Sequence, residues 1–126
     1  MSAKSLLITG SLLLALAVGL GAFGAHIIEG MLTPARYEVY QTGVTYHFYH
    51  SLGLLITGLL SLHFPYSRWI RLAGTFMFSG ILIFSGSLYL LTMTDTPWLG
   101  IITPFGGLSL ILSWIFLVLG IVKQEI

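Results

Sequence analysis

Four apolar runs, about Leu6–Ile28, Gly43–Leu62, Trp69–Met93 and Pro104–Val122, occupy most of this chain, with charges and prolines at the boundaries between them. Each is near or above the roughly 20 residues that a helix needs to cross about 30 Å of hydrocarbon. None shows the ten-residue alternation of a lipid-facing barrel strand. A helix satisfies its own backbone groups in lipid, so the expected fold is all-α and integral to the membrane. The expectation is an antiparallel bundle of four transmembrane helices forming one domain over residues 1–126. Composition agrees, because 56% hydrophobic and 7% charged residues with a mean hydropathy of +0.98 lie far outside the range of a soluble domain. No length remains for a soluble domain, and there is no repeat, linker or low-complexity segment.

The joints carry start signals. Thr33-Pro34 and Thr103-Pro104 each read as an N-cap followed by proline at the first helical position. The first is expected to open a short amphipathic turn, Pro34–Gln41, between the first and second spans. Tyr37 and Tyr40 in that turn, and Trp98 in the third connection, suit a membrane interface. The first run resembles a signal peptide in having Lys4 before it and Ala22-Phe23-Gly24 at a cleavage spacing, but it is too long for one. Lys4, Arg68, Arg71 and Lys123 fall on one side of a four-span arrangement and Arg36 alone on the other, which places both termini in the cytoplasm of a plasma-membrane protein. His26, Glu29, His47, His50 and Asp95 then lie toward the outer face, with Glu29 available to Arg36. Arg68 and Arg71 flank Trp69, an anchor whose cations attract anionic lipid headgroups.

Small residues recur at helical spacing, as expected where helices associate by close packing rather than by hydrophobicity. In the first run Ala15, Gly19, Ala22 and His26 form one ridge, and Ala17, Gly21 and Ala25 form its neighbour. The second ridge is the expected face for self-association if the first is occupied within the protomer. Tyr46, His50, Gly53, Thr57 and Ser61 form a stripe on the second run, while Gly106 and Gly107 open the fourth.

The fragments "GLGAFGAH", "TGVTYHFYHSLGLL", "FSGSLYLL" and "ITPFGG" stand in that order along nearly the whole chain. Together they resemble the signatures of domain-of-unknown-function family 423, small bacterial membrane proteins similar to eukaryotic transmembrane protein 256. The resemblance implies a four-helix membrane protein and brings no activity, substrate or cofactor with it. It places His26 at the GAFGAH histidine and His50 at the second histidine of the hairpin motif. It also implies that an amide serves at the position of His47.

His47 and His50 lie three residues apart, on adjoining faces of one helix. If the first two spans form a hairpin, they come to the depth of His26. Three imidazoles would suit zinc, copper or iron, and His26 with His50 is the only good pair for a bis-histidine haem. Neither reading is supported by an established metal motif, so no metal or cofactor is expected. The stronger reading is structural: His50 hydrogen-bonds within the bundle near His26, and His47, one turn shallower, reaches water or headgroups. Tyr46 and Tyr89 complete the expected outer polar cluster with the three histidines.

No Ser-His-Asp order, phosphate loop or paired intramembrane carboxylate is present, and cysteine is absent, so thiol catalysis is excluded and no enzyme is expected. The net charge of +1 gives no reason to expect nucleic acid. The leading expectation is a non-enzymatic membrane module, self-associating or an accessory subunit of a larger complex, whose partners are membrane lipids and which holds a lipid or quinone near the outer leaflet. The alternative is a small transporter or redox protein using His26, His47 and His50. No central charged residue marks an ion path within the runs.

Overall fold

The computed structural model describes residues 1–125, so Ile126 of the expected domain lies outside the described residues. Every described element is helical. The four long helices are α1, Ala3–Met31, with a π turn at Gly24–Ile28; α2, Pro34–His63; α3, Arg68–Thr94; and α4, Thr103–Val122, entered through the 3-10 turn Pro97–Ile101. By length and composition, α1, α3 and the segment Pro97–Val122 that contains α4 are each apolar enough to cross a membrane. α2 is long enough but more polar, because it carries His47, His50 and several tyrosine, threonine and serine residues.

Three helix starts are capped by hydroxyl groups. Ser2 accepts from the Ser5 N–H at 3.1 Å, Thr33 from Arg36 at 3.3 Å and Ser67 from Ile70 at 3.4 Å. Pro34 follows its cap as expected. Thr103 does not cap: it lies inside α4, and its hydroxyl stands 2.6 Å from that of Ser87 on α3. A bond between helices has replaced the local one.

The expected separate turn at Pro34–Gln41 does not exist as such, because α2 runs unbroken for 30 residues. Gly43 is the one weak helix former at the expected junction, and it is buried against Leu88 and Tyr89 of α3, so packing holds the helix where propensity would loosen it. At 1.5 Å per residue, α2 is roughly 45 Å long, more than the hydrocarbon thickness. Tyr40, expected at the interface, is instead buried, and its hydroxyl donates to the Leu20 carbonyl at 2.6 Å, just before the π turn. Gly24 makes room for it, since a Cβ there would come within 2.5 Å of the Tyr40 ring.

Helices adjacent in sequence make the main contacts. Gly10 faces Ser51 and Leu55, whereas Gly24 faces Tyr40, so the contact numbers on α2 fall as those on α1 rise. The same reversal relates α2 to α3 and α3 to α4: Gly43 meets Leu88, Gly53 meets Met77, Gly80 meets Leu110 and Gly120 meets Ile70. All four helices supply the core cluster Leu6, Leu54, Met77, Ile81 and Leu110, and Ile70, Ala73 and Leu117 form a second between α3 and α4.

At the other end of the bundle Arg36 pairs with Asp95 at 3.1 Å and donates to the Thr92 carbonyl at 3.0 Å. It does not take up the expected partner, Glu29. The reason is position: Arg36 lies beside the last carbonyls of α3, where the helix end favours a cation. Asp95 itself takes the left-handed conformation, φ 51°, that turns the chain out of α3.

Candidate functional site

His47 and His50 share a helix but serve different neighbours. The His47 side chain is 2% exposed, and its Nδ1 lies 2.8 Å from the hydroxyl of Tyr89 on α3. Its Nε2 is fully buried and makes no hydrogen bond, with the Leu13 backbone of α1 beside it but outside bonding geometry. One tautomer suits both neighbours: Tyr89 donates to Nδ1, and the Nε2–H points toward the Leu13 carbonyl. His47 thereby bonds α2 to α3, with Leu13 of α1 packed beside its other side. Ser85 adds a second link one turn away, donating to the Gly43 carbonyl at 2.7 Å. The expectation that His47 reaches water or headgroups is thus overturned, because the face it occupies, rather than its depth, decides its surroundings.

His50 faces the other flank, toward α4. Its Nδ1 lies 2.7 Å from the Tyr46 carbonyl of its own helix, and its ring stacks on Tyr46 with centroids 5.9 Å apart. The Trp114 ring of α4 stands 5.9 Å away. These residues line a pocket of about 370 Å³, completed by Phe84, Gly107, Leu110 and Ile111. Tyr46 packs at 4.8 Å on Phe84. Gly53 admits the wall: a Cβ there would lie 2.5 Å from the Met77 sulfur and 3.2 Å from Trp114. The expected bond joining His50 to the neighbourhood of His26 is not made, since His50 turns away from α1.

His26 is exposed on α1. Among the described residues no group of three or more His, Asp or Glu side chains is close enough to hold a metal ion, so the three histidines do not form the cluster that the alternative reading requires. Tyr46 is partly exposed, and Tyr89 belongs with His47 rather than with the pocket. Two of the packing glycines sit where chains approach most closely. A Cβ on Gly106 would meet the Phe84 backbone, whereas one on Gly107 would make ordinary contact with the Phe84 ring at 3.6 Å.

The two ridges on α1 exchange roles relative to expectation. Ala17 is buried and Gly21 faces Val44 of α2 at 3.6 Å, with Ala25 lining a recess between the same helices. Ala15, Gly19, Ala22 and His26 lie exposed, and a Cβ on Gly19 would meet nothing within 4 Å. On the opposite end, Arg71 donates to the Pro65 carbonyl at 2.8 Å, while Arg68 and Lys123 stand over the Trp69 ring at 4.9 and 4.6 Å. Lys123 stands with Arg68, as expected from the charge bias, whereas Trp114 is a residue outside the sequence expectations. Trp114 carried a signal nonetheless, because Gly107, Leu110, Ile111 and Trp114 follow the helical spacing of one face.

The chain is 47% identical to the membrane protein YwdK of Bacillus subtilis, in an alignment covering 95% of this chain and 98% of that one. It is 42% identical to the membrane protein SH2409 of Staphylococcus haemolyticus, over 95% and 97% of the two chains. Both relatives bear the name UPF0382 membrane protein. No solved structure matches it. The family model described as a protein of unknown function, DUF423, matches residues 20–107, and the protein therefore belongs to the DUF423 family of membrane proteins.

Proposed function

We propose that this protein is a non-enzymatic, multi-pass protein of the bacterial plasma membrane that holds an amphiphile in the pocket between α2, α3 and α4. The observation that carries the reading is the pocket itself, about 370 Å³, walled by Tyr46, Phe84 and Trp114 and containing the buried His50. Mostly apolar walls around one convergent polar group are the usual make-up of a small-molecule site. In this reading α2 is the fourth span, its polar residues accommodated because α1 and α3 cover it on two sides. The Lys/Arg bias places both termini in the cytoplasm, which sets the pocket in the outer half, since Gly107 and Trp114 lie about 6 and 16 Å along α4 from Thr103 at 1.5 Å per residue. Alkaline phosphatase is expected to be active when joined at Leu32 and inactive when joined at the C-terminus. The reverse pattern would overturn the orientation.

The exposed ridge Ala15, Gly19 and Ala22 supports the second part of the proposal, self-association through α1. Small residues on an exposed helix face let two backbones approach closely, which suits a second copy or a larger subunit. Native mass spectrometry of the protein extracted from its membrane is expected to find a dimer retaining an amphiphile, with Gly19→Leu giving a monomer that still carries it. A wild-type protein that is monomeric and empty would sink both parts.

A further inference from the structure

The tautomer of His50 decides what the pocket can recognise. The Tyr46 carbonyl can only accept, so at 2.7 Å the Nδ1 of His50 must carry the proton. A cationic ring is costly within a bilayer, and the neutral ring then presents an unprotonated Nε2. That nitrogen makes no hydrogen bond to the described residues, while His50 itself is only 7% exposed and lines the pocket. The mostly buried ring therefore offers an accessible acceptor with no protein donor. A ligand that brings only carbonyl oxygens, such as a quinone or an ester, would set acceptor against acceptor.

We infer that the pocket selects an amphiphile with an aromatic hydroxyl headgroup of the hydroquinone class, whose O–H donates to His50 Nε2 while its ring lies among Tyr46, Phe84 and Trp114. This rests on the proposed amphiphile-holding role and names its ligand. The hydroxyl follows from the lone pair on Nε2. The ring follows from the walls, because three aromatic side chains give a flat headgroup offset-stacked or edge contacts that an alkyl alcohol does not obtain. A phenolic O–H is also a stronger donor than an aliphatic one. Gly107 leaves the α4 wall without a side chain beside the Phe84 ring.

The test uses the full-length protein in lipid nanodiscs, titrated with a decyl-substituted hydroquinone, its oxidised quinone, its dimethyl ether and dodecanol. The ether keeps the shape and removes the donor, and dodecanol keeps a donor and removes the ring. The hydroquinone is expected to bind at least about ten-fold more tightly than each of the other three, and His50→Leu is expected to remove that margin. A second readout requires no variant: in protein labelled with ¹⁵N-histidine, the His50 Nε2 resonance is expected to shift with the hydroquinone and to stay in place with the ether. Equal binding of hydroquinone, quinone and ether would overturn the recognition of a hydroxyl. Equal binding of dodecanol would overturn the recognition of a ring. Recovery of a phospholipid from the native protein, with none of the four probes binding, would overturn the inference and leave the amphiphile-holding role standing.

Discussion

Gly106→Ala is expected to destabilise the protein by about 3 kcal/mol or more, and Gly106→Leu to abolish the folded state. Overpacking generally costs roughly 1–3 kcal/mol where neighbours can shift, and more where they cannot. At Gly106 they cannot: the added carbon would strike the amide nitrogen and Cα of Phe84 and the carbonyl carbon of Ile83, all of them backbone. No rotamer relieves such a clash, so α4 must move off α3. That movement strains the hydroxyl pair of Ser87 and Thr103 at 2.6 Å and the Ser109 bond to the Phe76 carbonyl at 2.7 Å, both of which depend on the same close approach. The control is the adjacent glycine. Gly107→Ala places its carbon 3.6 Å from the Phe84 ring, an ordinary contact, and is expected to change stability by well under about 1 kcal/mol. Thermal unfolding in detergent, followed by far-UV circular dichroism, compares the three proteins. A wild-type transition for Gly106→Ala would show that α4 is not held against α3 as described.

Much of the helical framework was legible because it depends on local terms. Apolar run length, the Thr33-Pro34 start and the charges at the boundaries act within one helix or its ends. What depended on azimuth was not legible. Three residues turn a helix by about 300°, so His47 and His50 are separated by only about 60° around the axis. That small angle puts one ring between α1 and α3 and the other toward α4. Depth along the helix cannot resolve that angle, and by depth alone the two histidines take the opposite roles. The same limitation exchanged the ridges of α1, where Gly19 and Gly21 lie about 200° apart, on nearly opposite faces, and only the position of Val44 decides which is covered. Arg36 shows a third kind of miss. Its choice between Glu29 and Asp95 was set by where α3 ends, a fact of tertiary packing absent from the local sequence.

The division of labour between the histidines predicts that His47, and not His50, supports the fold. His47→Leu is expected to lower stability by about 1–2 kcal/mol, because it leaves the Tyr89 hydroxyl without its acceptor and removes the ring that bonds α2 to α3. His47→Gln is expected to be mild, since the amide oxygen can accept from Tyr89 while the NH₂ points toward Leu13. This gives a physical account of the amide that the family resemblance implies at this position. Tyr89→Phe removes the same bond from the other side. The double variant His47→Leu with Tyr89→Phe is therefore expected to cost less than the sum of the two singles, by about 0.6 kcal/mol and at most about 1.7 kcal/mol, the average and the maximum for interhelical hydrogen bonds in membranes. His50→Leu is expected to unfold close to wild type, because its one protein hydrogen bond lies within its own helix. Additive costs for His47 and Tyr89, together with a large loss for His50→Leu, would return the structural role to His50 and remove the basis for a free acceptor in the pocket.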